Sequence, residues 1–194
     1  MTAQPLPAWV FPPPGGFTPD DLDRIPALPP HTELIDGSLV FVGPQTAFHS
    51  LVTSLLERGL RASVPESLSV CREMTITINK GNRPEPDISI LRAEAVSDEA
   101  DETGYDAADV MLAVEVVSPE SEGRDRERKP QLYAKAGIPH FWRIEKGDGR
   151  RPVVYVYELD PATGAYVPSG IHRDRLKLTV PFGIDIDLTE IDRM

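Results

Sequence analysis

The stretch LAVEVVSPE, residues 112–120, sets one carboxylate, Glu115, inside a run of apolar and β-branched residues. Extended back to Val110, the run VMLAVEVVS (110–118) reads as a strand whose continuous apolar character fits a sheet covered on both faces. An ionised carboxylate taken out of water is costly unless something compensates it. Either Glu115 lies on a solvent-facing edge, or it pairs with a nearby cation such as Arg124 or Arg126, or the protein uses it.

The elements on either side define the setting. Upstream, TPDDLDRI (18–25) has Thr18 as N-cap, Pro19 at the first helical position and acids in the first turn, which predicts a short helix. ELIDGSLVFV (33–42) predicts a hairpin about Asp36-Gly37. Apolar residues at 47, 48, 51, 52, 55, 56 and 60, with Thr46 as cap, predict an amphipathic helix over 47–62. SVCREMTITIN (69–79) is β-rich, and DISIL (87–91) is a short strand after a turn-rich approach. Residues 92–109 read as an acidic surface connection.

Downstream, KPQLYAKAG contains a short helix that Gly137 can close. HFWRIEK (140–146) and VVYVYEL (153–159) are strands, and RLKLTVP (175–181) pairs near an edge. The order predicts an α/β (α+β) fold, a mixed sheet flanked by helices.

Nine of the 20 prolines fall within residues 1–30. Residues 1–17 therefore read as a proline-rich arm, docked through Trp9, Val10 and Phe11, ahead of a single domain over 18–194. No apolar run approaches the ~18 residues of a membrane span, and the N-terminus does not read as a secretory signal. The single cysteine, Cys71, excludes an internal disulfide, reads as a small buried group, and points to the cytoplasm. The net charge of −11 opposes broad electrostatic binding of a polyanion, so any nucleic-acid contact must be local or aided by metal.

Three acids sit on predicted strands: Glu33 opens the hairpin, Asp87 starts DISIL, and Glu115 lies within the central run. If the strands of Asp87 and Glu115 are neighbours, both carboxylates reach one pocket and repel, and a divalent cation relieves the repulsion. Mg²⁺ takes hard oxygen ligands of this kind. The charged run GRDRERK (123–129) supplies cations directly after the Glu115 strand. With a metal, a lysine there completes a phosphoryl-transfer site. Pro130 belongs in a first helical turn, which leaves Lys129 at the helix edge, facing the pocket or water.

Pro86-Asp87, Glu115-Val-Val-Ser-Pro119, Asp125-Arg126, Lys129 and YAKAGIPHFWRIE (133–145), with ELIDGSLV and His49, resemble the Uma-two family of restriction endonucleases. That family lies in the PD-(D/E)XK nuclease superfamily, and the resemblance covers roughly residues 31–190. It implies a restriction-endonuclease-like fold and a catalytic set of Asp87, Glu115, Lys129 and Glu33. Asp87 and Glu115 would bind Mg²⁺ (or Mn²⁺). The chain departs from the superfamily pattern at Val117, which holds the usual lysine slot; the resemblance implies that Lys129 supplies the amine. His49 is a candidate for phosphate or metal contact, and Asp125 for positioning Lys129 or pairing with an arginine. Tyr133, Phe141 and Trp142 read as core.

The function expected is metal-dependent hydrolysis of DNA phosphodiester bonds, in a homodimer without membrane contact. The first rival is a non-catalytic module of nuclease fold that binds nucleic acid or protein, favoured by the net charge and by Val117. The second is a structural protein assembling through the proline arm and sheet edges.

Overall fold

The strand predicted from the central run forms as β7 (Val110–Val116), and six of its seven residues are buried. In the computed structural model, which describes residues 7–97 and 101–194, β7 lies inside a six-stranded mixed sheet. Its neighbours are β5 (Ile88–Arg92), antiparallel, and β8 (His140–Lys146), parallel. Beyond β5 lies β3 (Leu68–Arg72); beyond β8 lie β9 (Pro152–Asp160) and β10 (Ala165–His172).

Helices cover both faces. The predicted amphipathic helix is α2 (Ala47–Ser63), whose Thr46 side chain accepts the His49 backbone N–H at 3.2 Å. Its Val52, Leu55, Leu56 and Leu60 pack on Leu112, Val114 and Val116 of β7 and on Trp142 of β8. Helix α3 (Lys129–Ala136) ends at Gly137, whose φ of 82° supplies the left-handed C-cap. On its side, Tyr133 and Ile138 join Ala113 and Phe141 in a second cluster. From Leu112 to Val116, alternation along β7 thus sends even-numbered side chains toward α2 and odd-numbered ones, Glu115 included, toward α3.

Smaller units frame one end of the sheet. Helix α1 (Pro19–Arg24) begins with the Asp21 carboxylate accepting the Thr18 N–H at 2.7 Å. Strands β1 (Glu33–Ile35) and β2 (Ser38–Val40) form the predicted hairpin. Positive φ at Asp36 (51°) and Gly37 (74°) matches the needs of a tight type I′ connection. Phe17, assigned to the arm from sequence, is buried, and its N–H is held by the Gly37 carbonyl at 2.8 Å. Of the expected anchors, Trp9 meets Phe41 edge-on at 6.1 Å, while Phe11 is 68% exposed. Residues 1–6 of the arm lie outside the described residues.

Several expectations are corrected. The β-rich run 69–79 is two strands: it breaks at Glu73, in left-handed backbone at φ 53°, and β4 (Thr75–Thr77) leaves the main sheet. The segment 92–109, of which 98–100 lie outside the described residues, contains β6 (Gly104–Asp106), paired in parallel with β4. Strand β10, which follows a turn over 161–164, is an element that the sequence reading does not assign. The 175–181 strand pairs as β11 (Arg175–Leu178) with β12 (Ile184–Asp187), in a separate two-stranded sheet. Cys71 is half-buried. Among the described residues no helix is long and apolar enough to cross a membrane.

Candidate active site

Glu115 is 2% exposed, and the groups that compensate it come from α3. Lys129 Nζ lies 2.9 Å from Glu115 Oε2, and the Tyr133 hydroxyl donates to Oε1 at 2.5 Å. Residues 129 and 133 are one helical turn apart and so share a face. Lys129 therefore points into the protein and not to water, and neither Arg124 nor Arg126 partners Glu115. Arg126 instead pairs with Glu145 at 2.6 Å and with Glu122.

Lys129 serves more than one acid. Its ammonium lies 2.7 Å from Glu33 Oε1 and 3.5 Å from Asp125 Oδ1, and it donates to the Glu85 carbonyl at 3.4 Å. Glu33, at the start of β1, also accepts the Glu85 backbone N–H at 2.8 Å, which ties the hairpin to the approach of β5. Asp125 sits in a π-helical turn (Arg124–Arg128) that runs directly into α3; such turns recur at functional sites. Ser121 donates to its Oδ2, while Oδ1 is buried without a hydrogen bond.

Asp87 stands just ahead of β5 and joins three elements. Its Oδ2 accepts the Val116 N–H at the end of β7 at 2.6 Å. Its Oδ1 lies 2.8 Å from His49 Nε2 on α2. All six residues singled out from sequence, Glu33, His49, Asp87, Glu115, Asp125 and Lys129, line one cleft of about 40 Å³. That volume holds roughly three waters, or an ion with part of its shell. Val117 is not among the lining residues; it faces a neighbouring groove.

Sequence reasoning missed five contributors. Tyr133 is core, as expected, but its hydroxyl belongs to the site; its position four residues after Lys129 was the available signal. Ser121 holds Asp125. Glu85 and Glu73 also line the cleft, with His31 Nδ1 2.5 Å from Glu85 Oε1. The parity of Glu85 with Asp87 was the signal there.

The charges are unequal. Against the Lys129 ammonium stand four carboxylates, those of Glu33, Asp87, Glu115 and Asp125. Burial pushes the Glu115 carboxyl well above its ordinary range; Lys129 opposes this, while Asp125, Asp87 and Glu33 add to it. Burial raises Asp125 also, against Lys129 and the Ser121 hydrogen bond. Burial alone would lower Lys129, but Glu115, Glu33, Asp125 and Asp87 raise it well above the usual lysine value. Burial and then Glu115 push the Tyr133 phenol up, so it remains a donor.

A mixed sheet covered by helices on both faces, with acids from two adjacent strands and a lysine meeting in one cleft, defines a restriction-endonuclease-like nuclease fold. The profile of the Uma2 family, described as "Putative restriction endonuclease", matches residues 19–189, and the chain belongs to that family. A similar solved structure is the crystal structure of "a putative nuclease belonging to DUF820 from Anabaena variabilis ATCC 29413". It superposes with a TM-score of 0.67 at 18% identity, over 90% of this chain and 97% of that one, and so shares the fold. No curated protein matches the chain.

Proposed function

We propose that the protein is a metal-dependent endonuclease that hydrolyses phosphodiester bonds in DNA, with Asp87, Glu115 and Lys129 at its centre. The observation that carries this reading is the convergence of those three groups, from just ahead of β5, the middle of β7 and the start of α3, on one cleft.

The donor chemistry fits a Mg²⁺ or Mn²⁺ ion. The acids offer hard oxygens, they outnumber the ammonium, and Asp125 Oδ1 is buried without a hydrogen bond. Asp87 and Glu115 would hold the ion. When bound, it would neutralise their repulsion and supply a Lewis acid for the attacked phosphate and an acidified water.

The chain's own groups do the rest. Lys129, with its pKa raised, stays an ammonium; it cannot take a proton from water, but it can hold a water or phosphate oxygen and offset developing negative charge. Glu33 and Asp125 fix its amine from two sides. His49 and the Val116 N–H fix both oxygens of Asp87, and Tyr133 fixes Glu115.

One observation favours a second reading, a nuclease-fold module that binds without cleaving. Lys129 already bridges Glu33, Glu115 and Asp125, and among the described residues no three His, Cys, Asp or Glu side chains form a set able to hold a metal as they stand. Titration with Mn²⁺, alongside cleavage of supercoiled and linear DNA, separates the two. The nuclease reading predicts saturable Mn²⁺ binding and ion-dependent cleavage, both lost in Asp87→Ala and Glu115→Gln. Absence of cleavage, with Mn²⁺ binding unchanged by either substitution, overturns it.

A further inference from the structure

The run GRDRERK (123–129) carries four cations, of which Arg124 and Lys129 line the cleft, and three of the four are engaged. Lys129 holds its carboxylates. Arg126 is tied to Glu145 and Glu122. Arg128 clasps Asp36, with Nε 2.7 Å from Oδ2 and Nη2 on Oδ1. Arg124 differs. It lines the cleft beside Asp125 and Lys129, yet among the described residues it makes no ion pair, and its buried Nε has no hydrogen-bond partner.

An unpaired arginine is unexpected there. The same cleft is lined by Glu33, Glu73, Glu85, Asp87, Glu115, Glu120 and Asp125. In a chain with 31 acids against 20 Lys and Arg, the simplest outcome is another ion pair. A buried donor left without a partner calls for an explanation, and a ligand that brings its own acceptor is one. The planar guanidinium fork matches the two non-bridging oxygens of a phosphodiester. Lys129 cannot take that role alone, being already surrounded by acids.

We propose that Arg124 binds a backbone phosphate of the nucleic-acid strand at the cleft and so supplies the local positive contact that the overall charge denies. The inference rests on the nuclease reading and deepens it. It gives the strand a specific grip beside the acids, and makes Arg124 a substrate-binding residue distinct from the ion-holding pair.

The test measures binding of labelled single- and double-stranded oligonucleotides over a NaCl series, in Ca²⁺ and in EDTA, with cleavage in Mg²⁺ or Mn²⁺ assayed separately. The proteins are the wild type, Arg124→Ala, Arg124→Lys and, as a charge control, Arg175→Ala, whose guanidinium is occupied by Asp185. Arg124→Ala should weaken binding about tenfold and lower the slope of log affinity against log salt by about 0.7 to 0.9. Arg124→Lys should keep the slope and recover part of the affinity. The unfolding transition of each variant is measured alongside, and binding is compared at a temperature where all four proteins are folded, so that a folding defect is not read as lost binding.

Unchanged affinity and slope in Arg124→Ala overturn the proposal, as does a wild type that binds no oligonucleotide. A wild type that cleaves while Arg124→Ala binds normally removes the proposal and leaves the nuclease reading. A wild type that binds through Arg124 but never cleaves keeps the proposal and removes catalysis.

Discussion

Lys129 Nζ lies 2.9 Å from Glu115 Oε2, and both side chains are at most 5% exposed. This contact joins the first residue of α3 to the middle of a buried strand, and it makes the interior acid compatible with folding. The same ammonium reaches Glu33 and Asp125, so its removal strands three carboxylates at once.

Lys129→Met should therefore destabilise the fold by about 3–5 kcal/mol, the usual result of breaking a buried pair from one side. Urea unfolding measures it. Adding Glu115→Gln should restore part of the loss, and a double-mutant cycle should show coupling of roughly 0.5–3 kcal/mol.

The cost of Lys129→Met should depend on pH. A carboxyl whose folded pKa is raised favours the native state below its unfolded value, and that advantage is lost as pH rises through the folded value. Glu115 and Asp125 are raised from 4.5 and 3.8. In acid they are protonated and need no ammonium, so wild type and variant should converge there. Lys129, raised above 10.5, contributes fully below that value and is lost as pH rises through its folded pKa. The stability gap should be widest from neutral pH to about 10 and should shrink in acid; a gap in urea unfolding that stays the same from acid to pH 10 would contradict the assignment.

Tyr133→Phe keeps the ring in its cluster and removes only the donor to Glu115 Oε1. A buried acceptor left unpaired costs about 1–3 kcal/mol, readable as a shift in denaturant midpoint. Loss of that donor also disfavours the ionised form. Under the nuclease reading, the acid limb of a cleavage-against-pH profile should therefore lie at higher pH in this variant than in the wild type.

Gly59 lies on α2, where an added Cβ would stand 2.5 Å from Ile186 Cγ1 of β12. Glycine-to-alanine changes in helices usually gain about 1 kcal/mol. Here overpacking should reverse the sign, costing about 1–3 kcal/mol in chemical unfolding and disturbing the helix that carries His49.

Much of this was legible in the sequence because local signals were strong. Thr46 and the apolar spacing marked α2, Asp36-Gly37 marked the hairpin, and the acid inside the 110–117 run marked the candidate site. What was not legible depended on distant contacts. β6 has only three residues, Gly104–Asp106, and is a strand because β4 lies beside it. The break at Glu73 needs a left-handed backbone that composition does not announce. Lys129 comes directly after a π-helical turn, and wide turns have no clear sequence signature. The unpaired state of Arg124 shows only once its neighbours' partners are known.

The most direct measurement is the single-turnover rate of DNA cleavage in Mg²⁺ or Mn²⁺ by wild type, Asp87→Asn and Glu115→Gln, each verified as folded by its unfolding transition. The account predicts measurable, ion-dependent cleavage by the wild type and a loss of about a hundredfold or more in each variant, in line with removing a principal electrostatic group. Equal rates in all three proteins, or no cleavage by a folded wild type with either ion, would contradict it.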